Sequence, residues 1–266
     1  MTGRRGLYLY AVVGSDIAGS YTGVGVHDAM AGDVLGVDDA PVETIKRAGL
    51  GAVVSEVGLD RLAAVVDGSD PQLLAGLAQR HHAVVLAAMD VVDRLLPLRL
   101  GTVLTGRDAA DDFLDRRAGE LSAALREVSA CREWGVTINV SDTGEQVPAS
   151  ATAEPGTGSD TGVGTAYLLR RRGQLLEDER RRVARADSVA AVAETVRAVA
   201  VRVAAGRPGG GVLLDETYLV PHAAESRFLS IVDGCGDRLG EHGLRLRVTG
   251  PWPPYSFVPA TLRAVT

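Results

Sequence analysis

The residues that could do chemistry are few, and their spacing is wrong for most of it. His81 and His82 are adjacent, and neighbours on a helix point about 100° apart; His27, His222 and His242 stand at neither three nor four residues from them. No metal site is expected from the five histidines. Cys131 and Cys235 lie far apart without metal-ligand spacing, which reads as two reduced thiols in a cytosolic chain. Asp38-Asp39 and Asp111-Asp112 fall in a loop and in a helix first turn, where consecutive carboxylates do not converge on one substrate. Gly19, Gly23 and Gly25 read as a plain loop, because no Gly-Lys-Ser/Thr follows to make a phosphate cradle. The chain holds no nucleophile elbow, H-E-x-x-H, C-x-x-C or dinucleotide fingerprint. The expectation is a protein without catalytic residues, cofactor or metal, and the weight moves toward binding or assembly.

One stretch is concentrated beyond what composition explains. Gly250 to Val258, GPWPPYSFV, sets Pro251, Pro253 and Pro254 within four positions and places Trp252, Tyr255 and Phe257 among and after them, in a chain that is only 4% aromatic. Three prolines fix φ and remove three donors, so the segment is a stiff extended corner. Tyr255 and Phe257, two apart, would share a face if the chain resumes as a strand. Trp252 reads as a core anchor dropped by that corner, with a peptide-recognition surface as the alternative.

The elements around it belong to a soluble globular chain of 266 residues, 46% hydrophobic and 23% charged, long enough for two domains. A net charge of −6 gives no general attraction to nucleic acid, and no apolar run reaches the roughly 20 residues of a membrane span. Of the 28 basic residues only Lys46 is lysine, which reflects residue usage before chemistry.

Leu7 to Val13 predicts a buried first strand, and Pro41 to Ile45 with Leu50 to Ser55 a strand pair. Ser69-Asp70-Pro71 predicts a helix start, followed by a stripe of Leu74, Leu77, His81, Val84 and Ala88. In Leu95 to Leu104 Pro97 makes the first half an edge or a bulge, and Gly101 allows close backbone approach. A helix near Asp108 to Ala130 presents Phe113, Arg117, Leu121, Ala124 and Val128. Trp134 to Val140 is a strand, and Ser141 to Gly164 is a polar, Pro/Gly-rich break.

From Thr165 to about Ala205 the pattern predicts one long helix. Its second half carries a stripe of Val189, Val192, Val196, Val199 and Val203. Its first half pairs Glu177 with Arg181 and Asp178 with Arg182 at i,i+4. That half reads either as a solvated face or as a partner surface, on which Leu175 and Leu176 beside Arg181 and Arg182 would bury a partner's apolar area. Val212 to Val220 is a strand, Ala224 to Glu241 a helix with Phe228, Ile231, Val232, Cys235 and Leu239 inward, and Leu244 to Val248 a half-buried strand leading into the Pro corner.

The run LRLRVTGPWPPYSFV, with ETYLV, REWGVTINV, GTAYLLRRR, LLPLRLGTVL and LYLYAVV in order before it, resembles the gas vesicle protein GvpL/GvpF family over nearly the whole chain. Leu100 stands where that family usually has Phe, and the polar insert is longer than most. The resemblance implies an α+β fold of two domains, 1–133 and 134–266, the second a modified ferredoxin-like sheet with a long helical addition and the insert 141–164 as a loop within it. It implies an accessory or minor structural role in gas vesicle assembly, in the cytoplasm and at the vesicle. The implied partners are the small hydrophobic shell subunit GvpA and other accessory proteins. The alternative from another class is a small-molecule-binding or catalytic ferredoxin-like protein with a pocket under the Pro corner.

Overall fold

Five segments, 4–14, 34–66, 70–141, 161–207 and 209–262, are described by the computed structural model. The Gly19 to Gly25 loop, His27, Ser69 and residues 142–160 of the polar insert lie outside them. The chain divides into two compact units, one of Met1–Trp134, Leu219–His222 and Gly250–Thr266, the other of Gly135–Tyr218 and Ala223–Thr249.

In the first unit β1 (Arg5–Gly14) is buried along nearly its whole length, which is why its sequence runs apolar without alternation. It pairs antiparallel with β3 (Leu50–Gly58), and β3 with β2 (Val42–Arg47), the turn between them using positive φ at Ala48 and Gly49. On the other side of β1 lie β4 (Leu95–Pro97) and β5 (Val103–Leu104). β4 stands at the end of the strand order, so Pro97 occupies an edge as expected.

A short helix, α1 (Leu59–Val66), follows β3 and was not legible as a separate element. α2 (Pro71–Met89) starts at Asp70, whose carboxylate accepts from the backbone N–H of Gln72 (2.8 Å) and Leu73 (3.3 Å). Its buried Leu77, Val84, Val85 and Ala88 form one core with Tyr8, Tyr10 and Val42. Strand alternation sends Glu43 and Arg47 to the opposite face, where they bond Arg107 and Asp115 of α3 (Arg107–Glu127). Helices thus cover both faces of this sheet. On α3 the expected stripe is buried at Phe113, Leu121 and Ala124, while the Arg117 guanidinium sits 5.8 Å over the Phe113 ring and donates to the Thr261 carbonyl.

The second sheet has the order β7-β8-β6-β9, built from β6 (Cys131–Val140), β7 (Arg202–Ala205), β8 (Val212–Pro221) and β9 (Leu244–Trp252). In the second unit the long helix α4 (Thr161–Arg197) packs along α5 (Glu225–Gly240). At its 37 residues α4 is roughly 55 Å long. Val189, Val192, Ala193 and Val196 are buried, as are Phe228, Val232, Cys235 and Leu239 on α5. The helix stops earlier than periodicity predicts. Val199 lies in a turn and Val203 in β7, and Val203 is exposed, as is Val201 just before that strand. β-branched residues serve a strand better than a helix, and pairing with β8 supplies the backbone partners, as in the 2.7 Å bond from the Gly206 N–H to the Asp215 carbonyl. No disulfide joins Cys131 and Cys235, and burial pushes the Cys131 thiol pKa up.

Candidate functional site

Two surfaces carry the residues singled out above, one in each unit. In the first, Gly250 has φ 128°, and a Cβ there would meet the Glu133 carbonyl oxygen at 2.8 Å and the Trp134 ring at 3.1 Å. A cis peptide bond to Pro251, itself partly buried, follows. Pro253, Pro254 and Phe257 are buried. Tyr255 and Phe257 do not share a strand face: Tyr255–Phe257 is one 3-10 turn, closed by bonds from the Tyr255 N–H to Pro253 O (2.7 Å) and from the Phe257 N–H to Pro254 O (3.2 Å). A turn forms because Glu133, nearly buried on β6, accepts from both the Ser256 N–H (2.8 Å) and the Ser256 hydroxyl (2.9 Å).

Trp252 is not the core anchor. It is 40% exposed, with its ring centroid 5.5 Å from that of His82. The prolines, Phe257 and the Glu133 clamp hold the corner instead, leaving the indole on the surface. Trp252→Ala is therefore expected to lower stability by about 1 to 2 kcal/mol, against the roughly 3 to 5 of a buried aromatic truncation. Urea denaturation checks this, and a loss at the upper figure would return Trp252 to the core.

Beneath the corner lies an aromatic cluster absent from the sequence expectations. The Tyr8 hydroxyl accepts the Gly101 N–H at 2.9 Å and stands 3.1 Å from His81 Nδ1. Which of the two donates across that contact depends on the tautomer of the ring. Burial depresses the His81 pKa to about 4, the Leu98 backbone opposing and the His82 charge reinforcing that shift. Burial likewise raises the Tyr8, Tyr10 and Tyr255 hydroxyls above their ordinary value. A cleft of about 710 Å³ opens beside His81, His82, Pro97, Leu98 and Tyr255. Its polar groups serve the fold: the Tyr255 hydroxyl faces His82 Nδ1 at 3.4 Å, and the Ser256 Oγ is bonded to a carboxylate rather than to an imidazole base. Among the described residues no three His, Cys, Asp or Glu side chains cluster as a metal site.

In the second unit, Leu175 and Leu176 are each 53% exposed, and Tyr167, Leu168 and Leu169 are more exposed still. Leu169, Leu176 and Val183 are seven apart and so line one side of α4, while Leu168, Leu175 and Arg182 line a neighbouring side. Arg181 Nε meets Glu177 at 3.4 Å, the expected i,i+4 pair. Arg182 does not take Asp178. It forks onto Glu179 at i,i+3, with contacts of 2.6 and 2.9 Å, because two parallel bonds are stronger than one. That fork holds the Glu179 carboxyl below its ordinary pKa. Arg181 and Arg182 also border a groove of about 1610 Å³, bounded across from α4 by Val140 of β6 and by Leu213 and Leu214 of β8. Neither the groove nor the Glu133 clamp was legible: both join residues distant in sequence, and a glutamate before Trp134 carries no local signal.

The family model described as "Gas vesicle synthesis protein GvpL/GvpF" matches residues 6–259. The chain belongs to the GvpL/GvpF family. Gas vesicle protein L2 of Halobacterium salinarum is 29% identical to it over 276 residues, covering 96% of this chain and 91% of that protein. Gas vesicle protein L of a Streptomyces species is 32% identical over 193 residues, 68% of each. The fold is similar to the crystal structure of the gas vesicle protein GvpF from Anabaena, with a TM-score of 0.65 at 20% identity and 96% of both chains covered. None of these GvpL/GvpF relatives is named as an enzyme. Among the described residues no helix is long and apolar enough to cross a membrane.

Proposed function

We propose that this chain acts in gas vesicle assembly, in the cytoplasm and at the vesicle, by binding the small hydrophobic shell subunit GvpA before it polymerises. The observation that supports this reading is the first half of α4, where five large apolar side chains from Tyr167 to Leu176 are exposed on a helix that also carries Arg181 and Arg182. Exposed apolar area of this kind is costly in an isolated protein and useful when it covers a partner's apolar surface. Arginine stems extend the apolar area while their heads stay in water. A partner so shielded would have fewer off-pathway contacts.

The organisation of the second half supports the same lineage. We read 134–266 as a modified ferredoxin-like domain, because β6, α4, β7, β8, α5 and β9 follow the βαββαβ order and the sheet order β9-β6-β8-β7 goes with it. The residues from Gly250 onward cluster with the first unit instead.

The test is Leu175→Glu with Leu176→Glu. Co-purification of the shell subunit is expected to fall to background, with the melting temperature lowered by no more than a few degrees, since exposed positions carry little folding energy. Undiminished capture would move the contact elsewhere, with the β4 edge at Pro97 next in line through strand addition.

A further inference from the structure

We infer that the groove between α4 and the ends of β6 and β8 seats an amphipathic helix of a partner protein, one whose apolar stripe is flanked by carboxylates. Its rim carries Arg171, Arg181, Arg182, Arg185 and Arg197 against Glu177 and Asp178. Arg181 is paired with Glu177, Arg182 with Glu179 and Arg197 with Glu216, so five cations stand over four anions, an excess of one in a chain whose net charge is −6; Arg185 bonds the His242 carbonyl rather than a carboxylate. The floor is apolar: Val140 and Leu213 are partly open to solvent, with Val189, Ala193 and Leu214 beneath. An apolar floor under a cationic rim selects a ligand with the reverse pattern.

Size and backbone chemistry choose the kind of ligand. At about 1610 Å³ the groove exceeds a small-molecule pocket of roughly 300 to 1,000 Å³. Along α4 it extends from Arg171 to Arg197, about 39 Å at 1.5 Å per residue. Val140, Leu213 and Leu214 wall it across from α4, and the remaining lining residues belong to α4 itself. The trough therefore takes one face of a helix and leaves the other outside. Strand addition is disfavoured, because β6 and β8 are the two inner strands of the order β7-β8-β6-β9 and offer no open edge. A second copy of this chain complements the groove poorly through its own α4, which brings the same arginines.

Identifying the partner as the shell subunit rests on the assembly reading above; the preference of the groove does not. Two fluorescently labelled 18-residue peptides serve as probes, each with the same leucine stripe on a helix, flanked by Glu in one and by Lys in the other. Anisotropy titrations with the full chain are expected to show the Glu-flanked peptide binding at least tenfold tighter, and weakening as salt is raised. Arg181→Glu with Arg182→Glu should reverse the preference, and Arg181→Ala with Arg182→Ala should abolish it without reversal. Leu213→Asp should weaken both peptides, whereas Leu229→Gln, exposed on α5 and off the groove, should leave both unchanged. Equal binding of the two peptides, wild-type discrimination by the charge-reversed variant, or self-association that displaces the peptide would each overturn the inference. A wild-type chain that captures the shell subunit but binds the two peptides equally would overturn the groove alone; a wild-type chain that discriminates the peptides but does not co-purify with the shell subunit would overturn the assembly reading alone.

Discussion

Gly250→Ala is expected to destabilise the first unit by about 2 to 6 kcal/mol, a large share of the roughly 5 to 15 that holds a domain together. Two independent effects add. The backbone sits at φ 128°, which a residue with a Cβ adopts only under strain, at about 1 to 3 kcal/mol. The new methyl would also press on the Glu133 carbonyl oxygen at 2.8 Å and the Trp134 ring at 3.1 Å, both held by β6. Relief of that contact needs backbone movement, at about 1 to 3 kcal/mol more. Because Trp134 and Trp252 flank the position, their fluorescence during urea denaturation reports the loss directly. Gly234→Ala in α5, where a Cβ meets nothing within 4 Å, is the control and should be neutral or slightly stabilising. If the two variants behave alike, the close approach at Gly250 is not what the corner depends on.

The second large effect is a pH dependence carried by His81. The ring is 3% exposed and has a folded-state pKa near 4, against about 6.5 in the unfolded chain. The sign follows from proton counting. Between pH 6.5 and 4 the unfolded chain binds a proton that the folded chain refuses, so stability is full above 6.5 and is lost as pH falls toward 4. The difference of about 2.5 units corresponds to roughly 3 kcal/mol. Carboxylates titrate in part of the same window, so the comparison is with His81→Asn, which cannot take up the proton. Over that range the wild type should lose about 3 kcal/mol more than the variant. Parallel stability curves for the two proteins, or an imidazole that titrates near 6.5 by NMR, would contradict a neutral buried ring.

Much of the α+β chain was set locally. An unbroken apolar run predicted a buried strand at β1, and Asp70 before Pro71 predicted the start of α2, since a cap and a fixed φ act within a few residues. The stripe of α3 and the inward face of α5 were likewise readable from their 3.6-residue period. Family membership followed from ordered short runs across the chain. The tertiary structure decided what those runs touch. Periodicity carried α4 through Val203, but pairing with β8 took Val203 into a strand. Trp252 looked like an anchor because tryptophan usually is one, yet the bonds from Ser256 to Glu133, 123 residues earlier, turn the corner and leave the indole at the surface. Local sequence determines backbone preference and which side of an element is apolar, because those depend on neighbours within one or two turns. Which polar groups find each other across a hundred residues, and which apolar side stays open as on α4, depends on how the elements pack, and no local pattern encodes that.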